Sequence, residues 1–306
     1  MAPVLPLELQ LYILKVKLPP GTSIAGHRRR NRLLRTFALV HRTLTPIAQR
    51  LLFTPLILVL ANGGNNCARA NVLLDVASPK VGEVRSVLVN GELLARPDWA
   101  PIQVVFDRCP TLEKLELELG RGWKRLGAVD WPVHLRDLTI ALTGPDIPLP
   151  LQCNFSVTLP ANLTRLSLAK VAHLGTLPVI PTLRTFIVDA MSTDLPLDVL
   201  FPSLRILACG RLEHFDPAPF CPHLPSTLRH LRIGFGQEYN DTGVLQVLDK
   251  VPSTLLSLHL HLSASVQTPS RDLQAITPDR ISGVKVRYFA QEEDAGEVEV
   301  WEADRM

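Results

Sequence analysis

A short phrase recurs along this 306-residue chain, and it limits what the chain can fold into. Every copy has apolar residues at the first, fourth and sixth positions of a new segment, and in most copies a proline and one or two small residues come directly before them. Residues 110–117 and 252–260 are clear examples. The first apolar residues of nine such copies are Val84, Leu112, Leu135, Leu163, Leu183, Leu204, Leu228, Leu255 and Ile281. Successive copies begin 20 to 28 residues apart, and positions below are counted from these first residues.

The spacing of the apolar residues explains why the copies must stack. Apolar residues at positions four and six alternate with more polar ones, as in a strand with one buried face. One copy cannot bury its apolar edge alone, so neighbouring copies must cover each other. The period matches the roughly 20–29 residues of leucine-rich repeats. The sequence therefore predicts an α/β fold over residues 55–290, an irregular solenoid with a curved parallel sheet and both helical and extended returns.

Residues 1–54 do not follow the repeat, and their charge differs from that of the rest. Residues 1–60 contain nine lysines and arginines and one acidic residue, Glu8, which gives a net charge of +8. The remaining 246 residues contain 23 basic and 28 acidic residues, a net charge of −5. Pro6 and Pro46 suit the first turn of a helix, and apolar stripes at helical spacing predict three short helices. A core this small needs a partner or a neighbouring domain.

Three segments of residues 1–54, which we call the head, resemble an F-box. They are Leu5-Pro6-x-Glu8-Leu9-x-x-x-Ile13-Leu14, Leu39-Val40-His41-Arg42 and Ala48-x-x-Leu51-Leu52-Phe53. With the repeats after it, the whole chain resembles an F-box protein with leucine-rich repeats, in the fungal style. The resemblance implies a substrate receptor of a Skp–cullin–F-box type ubiquitin ligase. The head would bind the S-phase-kinase-associated adaptor of that ligase, and the repeats would bind a target protein. The implied adaptor-binding or F-box core residues are Leu5, Pro6, Leu9, Ile13, Leu39, Val40 and Leu51.

Two other interpretations of the head stay open. Residues 1–54 can act only as a helical cap on the solenoid end, which terminal repeats need; the protein is then a leucine-rich-repeat scaffold. The basic run Arg28-Arg29-Arg30 with Arg32 and Arg35 can also be a nuclear localisation or nucleic-acid patch. The sequence favours a solvated loop and helix face over nucleic-acid binding, because no aromatic residue is interleaved for base stacking.

The strand side chains that alternate with the core leucines are the predicted target-binding residues. We call their surface the opposite face, and the repeat pattern predicts that it is concave. Its charge runs from acidic through apolar to basic, although a chance gradient is the alternative, since surface charges contribute little. We assign Ile206 and Lys285 to position five of their copies. The expected target contacts are Glu116, Glu118, Ile187, Ile206, Arg232, His259, His261, Lys285 and Arg287. Arg136, Arg184, Arg205 and Arg229 all hold position two, where we expect their stems to cover the leucines.

The remaining signals favour a non-enzymatic protein. The sequence has no phosphate-binding loop, no nucleophile elbow and no zinc-protease motif, so we expect no enzyme, cofactor or metal site. Five cysteines without a C-x-x-C pair, and a start that lacks a basic segment, predict free thiols in the cytoplasm or nucleus. No apolar run approaches a membrane span. Residues 291–306, with seven acidic residues and one arginine, are expected to form an acidic tail.

Overall fold

Ten strands form a single parallel sheet in the computed structural model of the chain. The structure describes residues 29–36, 45, 55–61, 64–77, 84–91, 99–120, 130–142, 151–152, 159–169, 171–172, 177–192, 195–213, 223–234, 247, 251–262 and 285–290. The strands of the sheet are β1 Leu56–Val59, β2 Ser86–Gly91, β3 Lys114–Leu119, β4 Asp137–Leu142, β6 Arg165–Ala169, β8 Thr185–Ser192, β9 Ile206–Glu213, β10 His230–Gly234, β11 Ser257–Leu262 and β12 Lys285–Ala290. Two further strands, β5 Leu151–Gln152 and β7 Val171–Ala172, pair with each other.

The strand order follows the chain order from β1 to β12, and every neighbouring pair is parallel. Each repeat therefore places its strand beside the strand of the repeat before it. This confirms the predicted α/β fold with stacked parallel strands. β1 adds one more strand in front of the nine copies counted in the sequence.

The returns between strands are of several kinds, as the uneven spacing of the copies predicts. Among the described residues, three returns contain a helix of four or more residues: α1 Asn66–Ala77, α2 Ala100–Arg108 and α3 Leu197–Leu200. Pro101 lies in the first turn of α2, where its missing N–H costs no helical hydrogen bond. The buried residues of α2 include Ile102, Val105 and Phe106. Trp131 of the next copy packs against Phe106, with ring centroids 6.0 Å apart.

The recurring proline forms a tight turn that starts each copy. In seven copies the backbone N–H of the first leucine donates to the carbonyl three residues earlier, at 3.0–3.3 Å. Proline supplies that carbonyl in four turns, and in the other three it is the second turn residue, where its fixed φ is favourable. The turn aims the first leucine inward, and leucines 112, 135, 163, 183, 204 and 228 are all fully buried.

Threonine side chains tie consecutive turns together. The residue before the first leucine points its side chain back to the previous copy. Thr182 Oγ1 lies 2.8 Å from the Ala161 carbonyl and 2.7 Å from the Leu163 carbonyl. Thr227 and Thr254 make the same pair of contacts in later copies. The sequence shows no asparagine ladder of the kind common in leucine-rich repeats. These threonines supply a comparable link between copies, at the amino ends of the strands.

Candidate protein-binding face

The opposite face presents an uninterrupted row of side chains at position five across all ten strands. The register places each member beside the next: Ile57, Leu88, Glu116, Thr139, Ser167, Ile187, Ala208, Arg232, His259 and Arg287. Neighbouring strands lie about 4.8 Å apart, so consecutive residues of this row are cross-strand neighbours. From β3 onward the register keeps the predicted order of acidic, then small and apolar, then basic residues, while two apolar residues, Ile57 and Leu88, precede Glu116.

Exposure along this face is uneven. From β3 to β8 the residues at positions five and seven are half-buried or exposed, and these are Glu116, Glu118, Thr139, Ala141, Ser167, Ala169, Ile187 and Asp189. Beyond them, Leu88 of β2 is fully buried, and Ala208, Arg232 and His259 are only 3%, 9% and 7% exposed. The accessible positions of β3, β4, β6 and β8 are called the open middle below. Position five is buried in β2 on one side and in β9, β10 and β11 on the other, and we call these the covered ends. Ile57 of β1, beyond β2, is again half-buried.

Three of the predicted contact residues lie within the open middle: Glu116, Glu118 and Ile187. Ile206 is also half-buried. Arg232 and His259 point to the same face but are buried, so a target cannot reach them as they stand. His261, Lys285 and Arg287 are placed by register on β11 and β12, beside the strands that carry Arg232 and His259.

The assigned positions of Ile206 and Lys285 are wrong by two residues. Ile206 pairs with Thr185 and His230, and Lys285 pairs with Ser257, so both hold position three. In β9 the buried pair is Leu207 and Cys209, which puts Ala208 at position five. Both residues are still assigned to the opposite face, because side chains alternate with a period of two and a shift of two residues returns to the same face. Position seven of that copy is Gly210, where a Cβ atom would lie 3.0 Å from the Asp189 carbonyl oxygen and would crowd that backbone.

An ionic row at position three went unnoticed in the sequence. Lys114, Asp137 and Arg165 stand side by side on β3, β4 and β6. Asp137 lies between the two cations, with its carboxylate oxygens 3.8 Å from Lys114 Nζ and 3.7 Å from Arg165 Nε. The signal was available, because the three residues precede the second leucine of consecutive copies. It carries meaning only once the register is known.

Polar side chains near the covered ends are held by hydrogen bonds. Asn90 Nδ2 donates to Glu118 Oε2 at 2.9 Å, which links β2 to β3. His230 Nδ1 lies 2.9 Å from Ser257 Oγ, which links β10 to β11. Asn90 and Ser257 are 5% and 1% exposed, so these bonds satisfy groups that water cannot reach. Both pairs fix side chains on the opposite face and so shape its borders.

The predicted adaptor-binding residues Leu5, Pro6, Leu9, Ile13, Leu39, Val40 and Leu51 lie outside the described residues. Within the head the structure describes residues 29–36 as helical. The basic run was interpreted as a solvated loop and helix face, and in the structure Arg29, Arg30 and Arg32 belong to the helix. Arg29, Arg32 and Arg35 lie on its exposed side, and Leu34 is fully buried. The segment is therefore amphipathic.

The described residues show no arrangement typical of a metal centre or a membrane span. No three His, Cys, Asp or Glu side chains among them are close enough together to hold a metal ion. None of the described helices has the length and apolar character needed to cross a bilayer. Cys67, Cys109 and Cys209 are free thiols, as predicted. Cys153 and Cys221 lie outside the described residues.

Comparison of the chain with family models, curated proteins and solved structures gave no match in any of the three.

Proposed function

We propose that this chain is a non-enzymatic substrate receptor of a Skp–cullin–F-box type ubiquitin ligase. Residues 1–54 bind the S-phase-kinase-associated adaptor, and the open middle of the sheet binds a target protein. The observation that carries the target-binding part is the continuous row of side chains that is half-exposed from β3 to β8. The adaptor-binding part is supported by the F-box-like residue pattern of the head.

The size and chemistry of the open middle favour a short extended segment of the target. Four strands span about 14 Å, which equals the length of four or five residues of extended peptide. Glu116 and Glu118 mark one side, hydroxyl and methyl groups follow, and Ile187 provides an apolar contact near the other side, on the same strand as the exposed Asp189. A face of this kind can discriminate between extended segments by their charge and shape. The target segment is then basic at one end, and at the other end it combines an apolar side chain with a basic one.

In this proposal the chain makes and breaks no covalent bond. It holds a target near the ubiquitin-transferring subunits of the ligase, so its contribution is proximity and orientation. The head and the open middle are then two separate surfaces, and damage to one leaves binding at the other intact.

The direct test is binding of the purified adaptor protein to the full chain. The variant Leu5→Ala/Pro6→Ala/Leu9→Ala removes apolar contacts that the F-box resemblance assigns to the adaptor. The matched control, Ile187→Glu, changes one half-buried residue on the sheet far along the chain. Calorimetric titration should give adaptor binding for the parent and for Ile187→Glu. The triple variant should lose at least about tenfold in affinity, equal to ~1.4 kcal/mol.

Circular dichroism must show that the repeats of the triple variant remain folded. A folded parent that does not bind the adaptor would refute the ligase proposal and leave the capped leucine-rich-repeat scaffold as the better account. Equal adaptor affinity of the triple variant and the parent would place the adaptor contact elsewhere in the chain.

A further inference from the structure

A second surface lies at the amino ends of the strands, away from the opposite face. Arg136, Arg184, Arg205 and Arg229 occupy position two of their copies, and all four residues are exposed. We call this set the arginine edge. The adjacent first leucines are fully buried, and the expectation that the arginine stems help to cover them stays a prediction; the exposure leaves part of each arginine open to solvent.

The backbone holds the arginine edge in a fixed row. The carbonyl oxygen of each of these four residues accepts two N–H groups from the next copy, at 2.7–3.2 Å. Arg184, Arg205 and Arg229 belong to three consecutive copies, so their Cα atoms are about 4.8 Å apart. Thr164 stands between Arg136 and Arg184 and leaves a gap in the row of arginines.

That gap is a polar cleft of about 470 Å³. Arg136 and Arg184 line it together with His134, Asn162, Thr182 and Ser203, and no lining residue is a carboxylate. The Thr182 hydroxyl, whose proton is shared between two carbonyls, and a hydrogen bond from Asn162 Nδ2 to the Val133 carbonyl at 3.0 Å fix its walls. Two acidic residues adjoin Arg136. Asp137 is engaged by Lys114 and Arg165 on the opposite face, and Glu113, at position two of the preceding copy, lies beside Arg85. The cleft therefore carries positive charge and fixed hydrogen-bonding walls.

These features select an anionic, extended ligand. Guanidinium groups bind carboxylates in a two-pronged geometry, and a row of them spaced by the strand distance matches a row of carboxylates. Nucleic acid is the other common polyanion. Single-stranded nucleic acid also needs aromatic side chains for its bases, and the cleft lining contains no phenylalanine, tyrosine or tryptophan. The chemistry thus favours a polypeptide rich in aspartate or glutamate.

We propose that the arginine edge binds an acidic extended segment of a partner protein. Arg136 and Arg184 hold one carboxylate in the cleft, and Arg205 and Arg229 bind the carboxylates that follow. This site is separate from the open middle, because position two lies at the end of the strands. The site does not depend on the adaptor-binding role of the head, and its test uses no ligase component.

The test is fluorescence anisotropy of the full chain with a labelled peptide of about eight glutamates, at about 50 mM salt, where screening is weak. Arg136→Gln/Arg184→Gln should weaken binding at least tenfold. The matched control is Arg85→Gln, because Arg85 holds the same position two but lies beside Glu113, with Arg85 Nη1 3.3 Å from Glu113 Oε1. The control variant should bind like the parent. Binding by the parent should fall steeply between 50 mM and about 300 mM salt.

A thermal unfolding curve for each variant confirms that it is folded, and Arg184→Gln alone replaces the double variant if the latter is unstable. Two results would overturn the proposal. One is binding of the glutamate peptide that survives Arg136→Gln/Arg184→Gln, or that falls equally with Arg85→Gln. The other is tight binding of an oligothymidine of equal charge by a chain that ignores the peptide, which would make the arginine edge a nucleic-acid surface.

Discussion

The two faces of the same sheet differ in how uniformly their residues are buried. On the core face, the residues at positions four and six of the described copies are all buried, from Val87 and Val89 in β2 to Leu258 and Leu260 in β11. On the opposite face, exposure ranges from fully buried Leu88 to exposed Asp189. The core face repeats because every copy must cover its neighbour. The opposite face varies because each residue there depends on its own surroundings, and this variation is what allows it to select a partner.

The largest effect separating the two faces should come from neighbouring residues on β4. Ile140 is 1% exposed on the core face, whereas Thr139 is half-exposed on the opposite face. Ile140→Ala removes buried methyl groups and leaves a cavity, so we expect it to lower the free energy of unfolding by about 2–5 kcal/mol. Thr139→Ala should change it by less than ~0.5 kcal/mol. Urea denaturation measures both, and equal losses would mean that the two faces are not distinct.

Substitution of Arg232 tests whether the opposite face at β10 is as inaccessible to water as the structure shows. It is 9% exposed, whereas Arg184 on the arginine edge is exposed. Arg232→Ala leaves the groups around it without their charged partner in a region closed to water, so we expect a loss of about 1–3 kcal/mol. Arg184→Ala should cost less than ~0.5 kcal/mol. If the two variants unfold at the same urea concentration, the β10 end is open and available to a target.

The threonine links test how the copies are held together at the amino ends of the strands. Thr182→Val keeps the side-chain shape but removes the hydroxyl, whose single proton is shared between two carbonyl oxygens of the preceding copy. We expect a loss of about 0.5–1.5 kcal/mol, the contribution of one hydrogen bond. Thr185→Val, three residues later on the opposite face, is the control and should be nearly neutral. A stability for Thr182→Val equal to that of the control would show that the backbone turns alone set the stacking.

The smallest effect concerns thiol chemistry rather than stability. Burial raises the pKa of the Cys109 thiol to about 11, although the charge of Arg108 acts in the opposite sense. A raised pKa leaves little thiolate at pH 8, and the thiolate is the reactive form. In a Cys153→Ser/Cys221→Ser background, a maleimide at pH 8 should modify the half-buried Cys67 well before Cys109. Mass spectrometry of peptides shows which cysteine is modified first. Rapid labelling of Cys109 in the folded chain would contradict its burial.

The core was accessible from the sequence because its pattern is local and repeated. The spacing of leucines such as Leu115 and Leu117 is enough to predict their strand, and the prolines before the copies predict the turns. The parallel order of the strands also follows, since a repeat of fewer than 30 residues can reach only its neighbour.

The opposite face was only partly accessible. Its residues could be identified by alternation. A count from Leu204 already gives Ile206 position three, whereas the position of Lys285 became clear only from its pairing with Ser257. The burial of Arg232 and His259 could not be predicted from the sequence, because it depends on contacts with residues distant in the chain. The ionic row of Asp137 and the polar cleft between Arg136 and Arg184 likewise exist only after three copies are laid side by side.

The central claim is that one chain carries two separable surfaces, a head for the ligase adaptor and an open middle for a target. The most direct measurement is proximity labelling in cells with the parent, Leu5→Ala/Pro6→Ala/Leu9→Ala, Ile187→Glu and the control Val199→Glu, which alters a 60%-exposed residue of α3. We predict that the head variant loses the adaptor and the ligase subunits that the adaptor recruits, and keeps the remaining labelled proteins. Ile187→Glu should keep the adaptor and lose a defined subset of those proteins, while Val199→Glu matches the parent. Loss of the same proteins from the head and Ile187→Glu variants, or no loss from either, would contradict the claim.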